Sequence, residues 1–338
     1  MVDRRDFLQK CSWAGLALGL PAWSRLALAD QPKDTGNHDG PLWVFVQANG
    51  GWDPTSFCDP KGRKNELELK PINKYFTGDI KTAGNINYAP VAGNKAFFEK
   101  YYKQLLVING IDMETNGHQA GQRHMWSGGL ATGRPSLAAL IAGVHDATRP
   151  MAYISNGGYS NTAGLVALTR IGSPQNLVRV TQPNVIDASS METYHAMETK
   201  SRIEQARAAR LAAQRERGRL PRDQGAMNTL HMARLRQKDL KLLDTYLPKN
   251  IDTSSNGLKR QAQVAIAAYK AGLALSVNLS AGGFDTHSNH DQNQFARLTS
   301  LFEGVDFLME EAERQKVADK VIVVIGSDFG RTPRYNAG

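Results

Sequence analysis

The chain has 338 residues, of which 41% are hydrophobic and 22% are charged. This length and composition are sufficient for a full hydrophobic core, which excludes a largely disordered protein and predicts one large globular domain. The formal net charge of +9 favours anionic partners in general, such as a phosphate or sulfate ester, an anionic envelope polymer or nucleic acid. Because no nucleic-acid recognition motif accompanies this charge, we expect no specific nucleic-acid partner.

Residues 1–29 have the features of a removable export signal. Adjacent Arg4 and Arg5 precede an apolar stretch at residues 11–23, and the small-residue sequence Ala27-Leu28-Ala29 follows. The arginine pair resembles the twin-arginine consensus, whose translocase exports proteins that are already folded. The apolar stretch is too short for a stable membrane span. We therefore expect a periplasmic or secreted protein.

The mature part is expected to be one domain at residues 30–338. Of the two cysteines, Cys11 lies within the signal, so Cys58 is alone in the mature chain and an intrachain disulfide is excluded. No neighbouring positive group or dedicated base accompanies Cys58, which indicates an incidental or buried thiol rather than a nucleophile.

Short apolar runs typical of buried strands alternate with helical patterns along the mature chain. One predicted helix spans residues 258–273. A second, at residues 293–315, has apolar side chains on one face at positions 295, 298, 301, 302, 305 and 308. The alternation predicts an α/β fold with a largely parallel sheet flanked by helices. The predicted strands lie at residues 42–47, 104–108, 151–155, 273–279 and 320–325.

A helical insertion is predicted at about residues 191–247, where Arg, Lys, Glu, Gln and Ala predominate. Pro221 is expected to separate two helices. The arginines suggest nucleic-acid or membrane binding, but interspersed acidic residues and the lack of interleaved aromatics favour a solvated helical hairpin. The closely spaced arginines are Arg202, Arg207, Arg210, Arg215 and Arg217.

Three of the predicted strands are followed by an aspartate. Asp53 ends the sequence GGWD after the first strand, Asp285 lies in GFDTH after the fourth, and Asp328 lies in SDFGR after the fifth. The carboxyl ends of parallel strands meet at the edge where open α/β sheets bind ligands. We therefore expect these three carboxylates to converge at one place.

Converging carboxylates repel each other unless a cation neutralises them, which predicts a metal site. Asp53, Asp285, His287 and Asp328 would supply oxygen and imidazole ligands. Such ligands suit a divalent ion such as zinc, manganese, iron(II) or magnesium, and the lack of thiolates argues against a soft structural site.

The three motifs and the twin-arginine signal resemble, over nearly the whole chain, the secreted proteins catalogued as domain of unknown function 1501. That family is similar to the alkaline phosphatase-like superfamily of phosphatases, sulfatases and phosphoglycerate mutases, which place metal-binding Asp and His residues at strand ends. The resemblance implies an alkaline phosphatase-like fold and metal-assisted hydrolysis of a small phosphate or sulfate ester. The motifs do not distinguish phosphate from sulfate, so both stay open.

The nucleophile of such a reaction also stays open. Family members often carry Ser-His where this chain has Gly117-His118. Thr115 and Ser127 are nearby substitutes, and hydroxyls beside Asp53, those of Thr55 and Ser56, are others.

Several further side chains have candidate roles. His118 and His124 would position substrate or ligate the metal. Arg331 would bind an anionic oxygen of the substrate or, equally, cap the sheet edge. We expect His290 to face solvent.

The family pattern continues beyond the third motif into a Gly/Asp-His segment that would supply another metal ligand, whereas this sequence ends at Gly338. We therefore expect a truncated C-terminus. Two hypotheses follow: an exported metal-dependent hydrolase, or a non-catalytic envelope binding or scaffold protein that retains the fold. The replacement of the expected serine by Gly117 favours the second.

Overall fold

A computed structural model describes residues 38–171, 184–186, 192–216 and 241–335. The predicted signal at residues 1–29, and the position of Pro221 within the predicted insertion, lie outside these ranges. Within them, no helix has both the length and the apolar composition needed to cross a membrane.

The centre of the molecule is a five-stranded sheet in the order β5-β4-β6-β1-β7, and each neighbouring pair of strands is parallel. This arrangement confirms the predicted α/β fold with a parallel sheet. A separate antiparallel hairpin consists of β2 and β3. The strands of the described residues are β1 (Leu42–Ala48), β2 (Lys81–Ala83), β3 (Ile86–Tyr88), β4 (Tyr153–Ser155), β5 (Leu168–Arg170), β6 (Ser276–Ala281) and β7 (Val321–Ser327).

The described helices lie between and around these strands. The predicted helices at 258–273 and 293–315 are confirmed as α6 and α7, with slightly different bounds. The helices are α1 (Asn94–Tyr101), α2 (His118–Ser127), α3 (Leu137–Asp146), α4 (Met197–Glu216), α5 (Lys241–Tyr246), α6 (Gly257–Lys270) and α7 (His290–Arg314).

Strand β1 shows why the sheet is buried on both faces. Because successive side chains of a strand point to opposite faces, Leu42, Val44 and Val46 belong to one hydrophobic cluster, with α6 and α7. Phe45 belongs to a second cluster, which contains residues of α2 and α3. The sheet is thus the middle layer of three, and a near-continuous apolar sequence is what such a strand requires.

Helix α7 buries an apolar stripe, as its sequence predicts. The predicted positions Leu298, Leu301, Phe302, Val305 and Leu308 are buried. Phe302 stacks on Phe97 of α1 with a ring-centroid distance of 4.4 Å. The stripe therefore fixes the helix that starts beside the carboxyl ends of β1 and β6.

The predicted strand at 104–108 is wrong. A short 3-10 helix covers Tyr102–Gln104, and the following residues are in no sheet. Leu105 and Val107 pack against the core, but Leu106 is 82% exposed and Ile108 is 66% exposed. A run of apolar residues does not by itself specify a sheet partner, and this segment covers the core on one side only.

The described part of the predicted insertion at 191–247 contains α4 and α5, whereas residues 192–196 are not helical and Thr193 forms an antiparallel bridge with Val185. Arg202, Arg207 and Arg210 are exposed on α4, as expected for a solvated helix. Residues 217–240, and with them Arg217, lie outside the described ranges.

Candidate functional site

Three adjacent strands end level with one another at the same sheet edge. Ala48 of β1 pairs with Ala281 of β6 on one side and with Ser327 of β7 on the other. The loops that follow therefore start side by side, as predicted from the motifs. Two of the three predicted aspartates, Asp285 and Asp328, belong to one group of side chains at this edge.

Asp328 is the buried centre of that group, with 0% of its surface exposed. Its Oδ1 accepts a hydrogen bond from Gln47 Nε2. Its Oδ2 accepts from the backbone N–H of Gly50 at 3.0 Å and lies 2.7 Å from Nδ1 of His118. Three hydrogen bonds compensate the burial of the carboxylate, which otherwise would be costly.

Helix α2 is fixed on the sheet edge by side chains spaced four residues apart. His118 contacts Asp328, Gln122 donates to Asn49 Oδ1 at 3.1 Å, and Trp126 donates to Gln47. Positions i, i+4 and i+8 lie on one face of a helix. Gly121 lies on the same side, where a Cβ atom would be 2.1 Å from the carbonyl oxygen of Asp328, so glycine permits this close approach.

The outer part of the group surrounds Asp285, which is 44% exposed in its side chain. Its Oδ2 lies 3.4 Å from Nε2 of His118, and its Oδ1 lies 2.9 Å from Nε2 of His287. The Arg331 guanidinium holds the pKa of Asp285 below its ordinary value. Burial acts in the opposite direction, and the nearby His118 adds to the lowering. We call His118, Asp285, His287, Asp328 and Arg331 the edge cluster.

The contacts of Arg331 are those expected of the second of its two predicted roles, capping the sheet edge. Its Nε donates to the carbonyl of Gly51 at 2.9 Å, and its Nη2 donates to the carbonyls of Gly50 and Phe284 and to Asp285. The guanidinium therefore joins the loops after β1 and β6. Its N–H groups are used largely within the protein.

Asp53 has different contacts from the other two carboxylates. Trp52 bridges to Gly330, and this pairing extends the loop past the strand end. The Asp53 carboxylate accepts from the Thr55 and Ser56 hydroxyls and contacts His290. Of the three carboxylates predicted to converge, Asp285 and Asp328 thus contact the same imidazole, that of His118, whereas Asp53 contacts another, that of His290.

His290 does not face solvent, so that prediction is wrong. Its side chain is only 26% exposed; Nε2 lies 3.2 Å from Asp53 Oδ2, and Nδ1 lies 3.0 Å from Thr286 Oγ1. His290 is the first residue of α7, and this end of the helix lies beside the loop after β1, where the ring meets Asp53. We call Asp53, Thr286 and His290 the relay group.

The pKa of Asp53 is lowered. Burial alone raises it, but hydrogen bonds from His290, Ser56 and Thr55 together outweigh that effect. A lowered pKa in the folded state contributes stability above the ordinary Asp pKa and loses it as the pH falls through the folded value. We expect wild-type stability to fall below about pH 4, and Asp53→Asn to reduce this acid dependence. Urea unfolding between pH 7 and pH 2.5 measures it; identical pH slopes would contradict the assignment.

The predicted hydroxyl nucleophiles lie away from the edge cluster or serve local structure. Thr115 Oγ1 accepts from the Gly117 N–H at 3.1 Å in the turn before α2. Ser127 donates to the Arg123 carbonyl at 2.7 Å at the far end of α2, about 13 Å along the helix from His118. His124 Nδ1 contacts the Met113 carbonyl at 2.9 Å.

Cys58 is an incidental, half-buried thiol, as predicted. Its Sγ lies 3.8 Å from Asn109 Oδ1, and burial raises its pKa to about 12. It lines a surface pocket of about 260 Å³ beside Leu105 and Leu106, away from the strand ends.

The donor types of the edge cluster suit a divalent metal, since two imidazoles and a carboxylate are common ligands. Their arrangement does not yet form such a site, because among the described residues no group of three or more His, Cys, Asp or Glu side chains is arranged to hold a metal ion. The Asp285 carboxylate lies between His118 and His287, each on a different oxygen. Binding would require the rings to turn towards a common point.

Gln47 and Gln294 are site residues that the sequence analysis missed. Gln47 is 1% exposed and joins Trp126 to Asp328, while Gln294 is 0% exposed beneath the relay group. A glutamine at the end of an otherwise apolar strand is a usable signal, because a buried amide needs specific partners. The spacing of His118, Gln122 and Trp126 is a second such signal.

A family model described as "Protein of unknown function (DUF1501)" matches residues 155–338. The match includes β6, α7 and β7, and hence Asp285, His287 and Asp328. Comparison with curated proteins and with solved structures found no match. Because the matched region is more than half of the chain and contains two of the three strand-end motifs, the chain belongs to the DUF1501 family.

Proposed function

We propose that this protein is a metal-dependent hydrolase of phosphate or sulfate esters. The observation that carries the proposal is the edge cluster: two imidazoles and a half-exposed carboxylate at the carboxyl ends of three parallel strands, with a buried carboxylate behind them. Ligand sites of open α/β sheets lie at this edge. A positive net charge of the chain suits an anionic substrate.

His118, Asp285 and His287 are the side chains that would hold the metal, of which zinc, manganese, iron and magnesium are the candidates. Asp328 contacts Nδ1 of His118, and Nε2 of the same ring, on the outer side, faces Asp285 Oδ2 at 3.4 Å. Carboxylates commonly orient metal-binding histidines in this way. When bound, the ion would supply charge stabilisation at the ester oxygens.

The metal content of Asp285→Ala tests this site. We expect purified wild-type protein to bind zinc or manganese, and the variant to lose more affinity than the roughly 10–100-fold that removal of a ligand-orienting group costs. Asp319→Ala is the matched control, because Asp319 is exposed at the opposite end of β7. Elemental analysis and calorimetric titration measure both. Equal affinity in wild type and Asp285→Ala contradicts the ligand assignment.

Export as a folded protein through the twin-arginine translocase belongs to this proposal. The arginine pair and apolar stretch within residues 1–29 support it. A periplasmic or secreted hydrolase would meet small anionic esters or anionic envelope polymers. Fractionation of cells that express the chain with Arg4 and Arg5 replaced by lysine tests the route, since export should stop.

A non-catalytic envelope binding or scaffold protein is the second candidate. It is favoured by the internal pairing of the edge cluster, in which Arg331 is engaged with three carbonyls and with Asp285. Substrate screens with phosphate and sulfate esters in the presence of added metal separate the two candidates. Metal binding without any hydrolysis would favour the binding protein.

A further inference from the structure

The relay group is built on a buried glutamine whose orientation its neighbours determine. Gln294 Oε1 lies 3.3 Å from the backbone N–H of Asp53, which can only donate. Gln294 Nε2 lies 2.7 Å from the carbonyl oxygen of Phe284, which can only accept. Both neighbours therefore require the same orientation of the amide, with Nε2 facing the loop after β6.

This orientation decides where the Thr286 hydroxyl proton goes. Gln294 Nε2 also lies 3.1 Å from Thr286 Oγ1, so the hydroxyl oxygen accepts a hydrogen bond there. Its single proton is then free for another partner. His290 Nδ1 is 3.0 Å away.

The tautomer of His290 follows from its other contact. Nε2 lies 3.2 Å from Asp53 Oδ2, and an ionised carboxylate only accepts. Nε2 therefore carries a proton and donates it to Asp53, which leaves the neutral ring with Nδ1 as an acceptor for the Thr286 hydroxyl. A hydroxyl, an imidazole and a carboxylate in this order form the arrangement that activates hydroxyl nucleophiles.

We propose that Thr286 is the nucleophile, with His290 as its general base and Asp53 as the residue that positions His290. The proposal deepens the proposed hydrolase, on which it rests, by naming a nucleophile other than Thr115 and Ser127, whose hydroxyls take part in local hydrogen bonds. Thr286 lies between Asp285 and His287 in the chain and is half-buried. Both chain neighbours belong to the edge cluster, where the ester would bind.

The reaction is a displacement at the phosphorus or sulfur atom. Thr286 Oγ1 forms a bond to the phosphorus or sulfur of the ester while the bond to the leaving alcohol oxygen breaks. The hydroxyl proton moves to His290 Nδ1 and then to the departing oxygen, which has taken the bonding electron pair. Water then attacks the esterified threonine, releases phosphate or sulfate, and restores the hydroxyl.

Thr55 and Ser56 provide an internal contrast. Their hydroxyls donate directly to the Asp53 carboxylate, at 2.7 Å for Thr55. A carboxylate at its lowered pKa is a weak base. These hydroxyls therefore cap Asp53, whereas the Thr286 hydroxyl faces an imidazole nitrogen.

A fluorophosphonate probe tests the proposal without any substrate or metal. Attack by Thr286 on the probe phosphorus breaks the P–F bond and releases fluoride. Intact-mass and peptide-mapping mass spectrometry on EDTA-treated protein should show one adduct at Thr286. Thr286→Ser should keep the adduct and Thr286→Val should lose it. His290→Gln should slow labelling about 10²-fold, the usual contribution of a general base.

Thr299→Val is the matched control, because this hydroxyl donates only to the carbonyl of Phe295 within α7; it should label like wild type. An adduct at another residue, persistent labelling of Thr286→Val, wild-type rates in His290→Gln, or no labelling of wild type would each overturn the inference. Hydrolysis of p-nitrophenyl phosphate and sulfate with added zinc or manganese is measured in parallel. Hydrolysis by Thr286→Val at the wild-type rate would support the proposed function but exclude Thr286 as its nucleophile. Labelling of Thr286 without any hydrolysis would support Thr286 as a reactive nucleophile but contradict the proposed function.

Discussion

Asp328→Ala is expected to lower the free energy of unfolding by about 3–5 kcal/mol, the range for removing one member of a buried charged network. The carboxylate is fully buried and receives hydrogen bonds from Gln47 and the Gly50 N–H as well as the contact with His118. Alanine leaves these polar groups without their acceptor in a site that excludes water. Unpaired buried donors carry the full cost of their lost hydration.

Equilibrium urea unfolding followed by circular dichroism measures this loss. Asp285→Ala is the matched control within the same cluster, because Asp285 is 44% exposed and exposed ion pairs contribute about 0–1 kcal/mol. Asp328→Asn should fall between the two, since it keeps the shape of the side chain and one acceptor oxygen. If Asp328→Ala unfolded at the same urea concentration as Asp285→Ala, the buried network would not be a source of stability.

Gly50→Ala is expected to destabilise the fold by about 3 kcal/mol, through backbone strain and overpacking together. Gly50 has φ +115°, a conformation that residues with a Cβ atom rarely adopt. An added Cβ would lie 2.2 Å from the backbone nitrogen of Asp285. The loops after β1 and β6 would have to separate, which moves Asp285 away from His118.

Gly282→Ala is the control for this prediction. Gly282 lies in the same pair of loops, but no atom is within 4 Å of an added Cβ, so the change should stay within about 0.5 kcal/mol. Urea unfolding gives the stability, and metal titration of Gly50→Ala at low temperature shows whether the edge cluster is displaced. Stability of Gly50→Ala equal to that of Gly282→Ala would mean that the two loops do not approach as closely as described.

Much of the fold follows from local sequence patterns. The apolar runs of β1, β6 and β7 and the stripe of α7 were predicted because periodicities of two and 3.6 residues are properties of neighbouring positions. The GGWD, GFDTH and SDFGR motifs predicted which loops meet, because parallel strands end at one edge. The segment at 104–108 shows the limit, since its apolar residues cover the core on one face and extend no sheet.

The candidate site likewise follows in part from local sequence patterns and in part from contacts between distant residues. The motifs alone place Asp53, Asp285 and Asp328 after strands that end at one edge. In the folded chain Asp328 contacts His118, whereas Asp53 contacts His290 at the start of α7. The three motifs do not distinguish these two positions. Strand and helix patterns depend on residues a few positions apart in the chain. Each of these hydrogen bonds, in contrast, joins residues more than two hundred positions apart, so no local pattern encodes them.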